Sequence, residues 1–214
     1  MKENLAHILE QANRLFLKCG IKSVSMDDVA RELKVSKKTL YRFVKDKTDL
    51  VSKALTFHCS REVEVTCKII SRNSNAIDEL IEISQHVREQ LRQVHPSIHY
   101  DLEKYYPDAW RIFTAHKMEH IYSCVAQNLE KGIKQGLYRT TINIPIIARI
   151  YISRIDAVFD AQIFPPDKFK MIDVYSEMLR YHIRGIASEK GIKYLVRQTK
   201  KALQKGRQEK LNLF

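Results

Sequence analysis

The sequence predicts an all-α fold in which a small N-terminal three-helix helix-turn-helix domain precedes a larger C-terminal helical bundle, with about nine to ten helices overall. Three observations predict it. Apolar residues recur at three- and four-residue steps along most of the chain, the period of a helix with one buried face. Six Gly and five Pro in 214 residues leave few places for turns. No segment alternates apolar with polar residues as a half-buried strand would, and no period of 20 to 50 residues repeats.

Ile8, Ala12, Leu15 and Phe16 form the apolar face of a first helix, and Gly20 follows as its C-terminal stop. Ser25 with Asp28 spells a capping box that opens a short second helix, with Val29, Ala30 and Leu33 inward. Lys34-Val35-Ser36 breaks it, and Ser36 caps a third short helix with Leu40 and Phe43 as its buried edge. Asp46 and Asp49 cap a fourth, which runs from about Lys47 into Ile69-Ile70 and connects the N-terminal domain (1–58) to the remainder (59–214). After the polar break at 71–75, Ile77, Leu80, Ile81, Ser84, Val87 and Leu91 mark another helix, followed by a loop at His95-Pro96 and a short segment ending near Pro107. Trp110, Phe113, Lys117, Ile121, Val125 and Leu129 predict one long helix, stopped at Gly136. Residues 146–159 and 169–186 give two more, apolar around much of their circumference, as befits helices buried on two sides. A basic tail helix (190–210) closes the chain.

The net charge is +12 and the isoelectric point about 9.5. The excess lies in residues 1–60 and 189–214, while 61–188 is close to neutral. Such asymmetry suits a polyanion met at one end of the molecule. Cys19, Cys59, Cys67 and Cys124 lack CxxC spacing and read as reduced core thiols. The N-terminal residues are polar at helical intervals, unlike a signal peptide, and the most apolar stretch, IPIIARIYI, is short and interrupted by Arg149. A cytoplasmic protein without a membrane partner is expected. No Gly-rich phosphate loop and no nucleophile elbow occur, which argues against an enzyme, and no cofactor is expected.

Residues 25–50, SMDDVARELKVSKKTLYRFVKDKTDL, place two short helices across a three-residue turn, with a basic and aromatic outer face on the second. A helix fits the major groove, and short or hydroxyl side chains near its start let the backbone approach the bases. Lys37, Lys38, Thr39 and Arg42 suit that role.

Val29-Ala30, then Val-Ser-Lys-Lys-Thr-Leu-Tyr-Arg-Phe from Val35, then Asp46-Lys47-x-x-Leu50, resembles the signature of the tetracycline-repressor (TetR) family over roughly residues 5 to 55. The resemblance implies a DNA-binding transcriptional regulator, most often a ligand-responsive repressor on a near-palindromic double-stranded operator, and not an enzyme. It further implies phosphate contacts from Ser25, Tyr41 and Lys47, and base or flanking-phosphate contacts from Lys37, Lys38, Thr39 and Arg42. Lys38 and Arg42 are the expected base readers. Lys34 departs from the Gly usual at this turn of the family, so a non-Gly residue is expected at positive φ. Activation in place of repression, or nonspecific DNA binding, are the alternatives.

One short recognition helix reads few base pairs, so a homodimer with two recognition helices about 34 Å apart is expected. By the resemblance, its interface is a four-helix contact, with Ile150, Ile155, Phe159, Ile172, Leu179 and Ile183 as candidates. Tyr100, Tyr105, Tyr106, Trp110, Phe113, His116 and Tyr122 are candidates for lining a site for an apolar or aromatic small-molecule inducer, although aromatics at helical spacing are more often core. His116 and His120 share a helical face at i, i+4, a weak metal signal; structural histidines are the commoner reading, and no metal is expected.

Overall fold

The structure, a computed structural model, describes residues 2–204. The last part of the expected basic tail, 205–214, lies outside the described residues. The helices run in the order α1 (Lys2–Cys19), α2 (Met26–Glu32), α3 (Lys37–Leu40), α4 (Lys47–Ser71), α5 (Ala76–Leu91), α6 (Ile98–Tyr105), α7 (Pro107–His116), α8 (Tyr122–Lys134), α9 (Ile144–Phe159), α10 (Met171–Ile186) and α11 (Glu189–Gln204). Among the described residues the only β pairing is an isolated bridge between Tyr138 and Ala187. The all-α class is therefore as expected.

The chain forms two compact units, each discontinuous in sequence. The first combines residues up to 65 with 93–117, and the second combines 66–92 with 118 onward. Helix α4 is unbroken through the change of unit at 65–66. A boundary at 58 follows chain order alone and does not register that α6 and α7 belong to the first unit.

In the first unit the predicted punctuation is present. Gly20 has φ +81 and its N–H reaches the Phe16 carbonyl at 2.8 Å, closing α1. A Cβ there would stand 2.7 Å from Ser97 Oγ, so the position needs Gly for space as well as for φ. Ile8, Ala12, Phe16, Val29, Ala30, Leu40, Val44, Leu50, Val51 and Ala54 are all 5% exposed or less and form the interior. Val44, not Phe43, completes the buried edge after Leu40. Helix α3 ends after four residues, and the tighter turn Arg42 N to Thr39 O, Phe43 N to Leu40 O rotates Phe43 to a half-buried position.

The second unit packs α5, α8, α9 and α10 around Ile77, Leu80, Leu129, Tyr138, Ala148, Tyr151, Leu179 and Ile183. A buried polar group sits within it. The Glu79 carboxylate accepts from Asn128 Nδ2 (2.8 Å) and Lys131 Nζ (2.7 Å), and the Tyr138 hydroxyl donates to Asn128 Oδ1 (2.9 Å). Its charges are paired and hydrogen-bonded, the condition under which burial is tolerated.

Two expectations need correction. The long helix predicted from Trp110 to Leu129 is interrupted: Lys117–Ile121 is a π-helical turn between α7 and α8, and Pro107 starts α7 instead of only ending its predecessor. Cys19 and Cys67 are exposed, so only Cys59 is a fully buried thiol, with Cys124 half-buried. Burial pushes both Cys59 and Cys124 up to about 11.

Candidate nucleic-acid interface

Local hydrogen bonding sets the geometry of residues 25–50. Asp28 N–H donates to Ser25 Oγ at 3.2 Å while Ser25 N–H donates to Asp28 Oδ2 at 2.9 Å, the reciprocal box that starts α2. The Ser25 hydroxyl, which donates to Asp28 Oδ2 at 2.6 Å, and then the Ser25 N–H hold the Asp28 carboxyl below its usual range. Lys34 stands at φ +54, the left-handed conformation expected where the turn lacks Gly. Thr39 N–H donates to Ser36 Oγ at 3.0 Å and starts α3. Asp49 N–H donates to Asp46 Oδ1 at 2.8 Å, and Lys45 N–H donates back to Asp49 Oδ2 at 2.8 Å, fixing the start of α4.

With those starts fixed, each candidate side chain has a definite place. Lys38 and Arg42, at i, i+4, both project from the surface, and among the described residues neither is paired with an acid. Tyr41 is 46% exposed beside them. Thr39 is half-buried, and its hydroxyl is shared with Ser36 at 2.9 Å. Lys37 is directed sideways into an ion pair with Asp27 (Nζ to Oδ2, 2.6 Å), which raises its pKa. Lys47 is half-buried: its ammonium donates to the Lys22 carbonyl at 3.3 Å and lies 5.8 Å from the centre of the Tyr106 ring. Burial lowers its pKa, against the opposing pull of Asp101 and Asp28.

These elements make a cationic edge with an exposed aromatic side chain. The chemistry of such a surface, ammonium and guanidinium groups beside Ser and Tyr hydroxyls, is of the kind that can neutralise and hydrogen-bond phosphates.

Residues 8–54 match the family described as bacterial regulatory proteins, tetR family. The N-terminal segment is therefore similar to the DNA-binding domain of the tetR family. Over 49 residues it is 47% identical to an HTH-type transcriptional regulator of Staphylococcus aureus strain USA300, and equally to one of strain COL. That alignment covers 23% of this chain and 26% of theirs, so the match spans about a quarter of the curated relatives' length. Among solved structures, the fold is similar to a transcriptional regulator from Saccharomonospora viridis in complex with choline (TM-score 0.71, 17% identity, 88% of this chain and 100% of that one). It is similar, too, to a TetR-family regulator from Agrobacterium tumefaciens (TM-score 0.69, 16% identity, 88% and 100%). At these identities the likeness is one of fold alone, and it covers 88% of the chain in each case.

Beyond the helices of residues 8–54, the expected ligand residues fall into three groups. Tyr100 (53% exposed) and Tyr105 (36% exposed) face solvent on α6, because Ile98, Asp101 and Leu102 take its inner face. Tyr106 is buried, and Trp110 and Phe113 are half-buried with ring centres 5.7 Å apart; the His99 ring is edge-on to Trp110 at 4.6 Å. Lys117, only 4% exposed, places its ammonium 5.7 Å from the Trp110 ring centre and 5.4 Å from that of Phe113. His116 is half-buried, and Tyr122 lies in the second unit under the Arg149 guanidinium. His120 Nε2 lies 2.8 Å from Thr66 Oγ1, and among the described residues no cluster of three or more His, Cys, Asp or Glu suits a metal.

Of the dimer candidates, Leu179 and Ile183 are 1% exposed and belong to the chain's own core. Ile155, Phe159 and Ile172 are half-buried, and Ile150 is 39% exposed. Ile146 on α9 (54%) and Tyr181 on α10 (71%) are the exposed apolar side chains that sequence periodicity missed. Periodicity detects that α10 is apolar, but not which of its two faces the monomer already uses.

Proposed function

We propose that this chain is a sequence-specific DNA-binding transcriptional repressor that acts in the cytoplasm as a homodimer on a near-palindromic double-stranded operator and is released by a small apolar or aromatic molecule. The observation that carries the reading is the rigidly capped α2–α3 pair presenting Lys38, Tyr41 and Arg42 outward. An exposed basic helix in a generic soluble protein does not need three consecutive side-chain caps to aim it. Ser25, Tyr41 and Lys47 hold phosphates, Lys38 and Arg42 read bases, and Lys37 and Thr39 brace the helix while reaching flanking phosphates.

Dimerisation supplies the second recognition helix, and Ile146, Ile150 and Tyr181 are apolar surface suited to it. Ligand control is supported by the Saccharomonospora regulator, solved with choline, and by the aromatic group Trp110, Phe113 and His99 in this chain. Among the described residues no helix is long and apolar enough to cross a membrane.

The test is selection from a library of genomic DNA fragments at near-physiological salt. Enrichment of one inverted repeat by the wild type, lost in Tyr41→Ala, is expected. Retention of fragments with no shared motif would replace the reading by nonspecific DNA binding.

A further inference from the structure

Helix α6 carries a basic and aromatic patch that the helix-turn-helix does not account for. Lys22 Nζ donates to the Tyr105 hydroxyl at 2.9 Å and lies 4.4 Å from the centre of its ring. Lys104 Nζ donates to the Tyr100 hydroxyl and lies 5.0 Å from the Tyr100 ring centre and 5.5 Å from that of Tyr105. The two tyrosine rings meet edge to face at 6.1 Å. Both lysines and Tyr100 are well exposed.

The patch is fixed in place. Lys22 N–H donates to Asp101 Oδ2 at 2.9 Å, Ser97 Oγ donates to the same oxygen at 3.2 Å, and Asp101 is 4% exposed, so α6 is pinned to the segment between α1 and α2. It is continuous with the edge described above. Lys47 Nζ donates to the Lys22 carbonyl, and the Lys47 ammonium lies within electrostatic reach of Asp28, which closes the Ser25 box. A chain of contacts therefore links Ser25 through Asp28, Lys47, Lys22 and Tyr105 to Lys104 and Tyr100, all within the first compact unit. The hydrogen bonds that the two ammonium groups donate to the tyrosine hydroxyls raise the pKa of Lys22 and of Lys104, so both are cationic at neutral pH.

We infer that Lys22, Lys104 and Tyr100 form an accessory DNA contact that extends the footprint of the helix-turn-helix onto the phosphates flanking each operator half-site. Positive charge joined by contacts to the primary edge, hydroxyl groups among the cations and exposure of all three groups match a phosphate backbone, which is contacted by Lys and Tyr without regard to sequence. An apolar inducer is a poor match for an open surface bearing two ammonium groups. The inference rests on the DNA-binding reading above.

The test compares two duplexes carrying the selected inverted repeat, one trimmed to the repeat and one with about ten extra base pairs (roughly one helical turn) on each side, over a range of KCl concentrations. The wild type is expected to prefer the longer duplex by about tenfold, and Lys22→Gln/Lys104→Gln to lose that preference. Each phosphate that a variant no longer neutralises lowers the slope of log K against log salt by about 0.9, so a dimer lacking four cations should show a slope shallower by about 3 to 4 on the long duplex. Lys22→Arg/Lys104→Arg should restore it. Thermal melting of the free proteins checks that the variants are folded. Equal length preference and salt slope in wild type and Gln variant, with Tyr41→Ala still defective, would overturn the accessory contact and leave the helix-turn-helix reading intact. Failure of the wild type to bind either duplex would overturn both.

Discussion

Lys34 is a non-Gly residue held in the left-handed region, and its φ of +54 carries a cost that Gly would not. Lys34→Gly is expected to stabilise the protein by about 0.5–1 kcal/mol, the left-handed strain relieved less the entropy that Gly adds to the unfolded chain; urea denaturation measures it. Ser25→Ala removes the cap of α2 and is expected to cost about 1 kcal/mol, with a loss of DNA affinity beyond what the stability change explains. At this scale the sequence was highly legible. Gly20, Ser25 with Asp28, Ser36, and Asp46 with Asp49 each stand where short-range capping chemistry put them, because a cap depends on three or four neighbouring residues. What remained hidden were the long-range partners: nothing local indicates that Lys47 reaches Lys22, or that Lys37 turns to Asp27.

The helices themselves were legible as apolar periods, but the assignment of their faces was not. In α10, Leu179 and Ile183 are spent on the core shared with α5, α8 and α9, whereas Tyr181 between them is 71% exposed. Leu179→Ala is accordingly expected to destabilise the folded chain by roughly 2–5 kcal/mol, while Tyr181→Glu with Ile150→Glu leaves the fold intact and shifts the protein to monomer in sedimentation equilibrium. An unchanged dimer in the double variant would place the interface elsewhere. Helix α6 makes the same point in reverse. Its aromatic residues were candidates for lining a ligand site, yet Tyr100 and Tyr105 are turned outward by the inward demand of Ile98 and Leu102. The π turn at Lys117–Ile121 had no counterpart in the apolar pattern, which passes through Lys117 and Ile121 as though the helix were regular.

Across the whole molecule, stability should depend on acid through His182. Burial, aided by the nearby Arg154 cation, lowers its pKa from 6.5 to about 4. Above pH 6.5 the ring is neutral in folded and unfolded chains alike; between 6.5 and about 4 only the unfolded chain takes up the proton, so stability falls as pH falls, by up to roughly 3 kcal/mol. His182→Gln should flatten that part of the stability profile in denaturant titrations. The central proposal is sequence-specific reading of DNA by the α3 surface. It is tested most directly by fluorescence anisotropy of the selected inverted repeat against a scrambled duplex of equal length, at one fixed salt concentration, for the wild type and Arg42→Ala. The expected result is a preference of about 10³ or more for the repeat, reduced by about 10- to 100-fold in Arg42→Ala with little change on the scrambled duplex. Equal affinity of the wild type for both duplexes would contradict it.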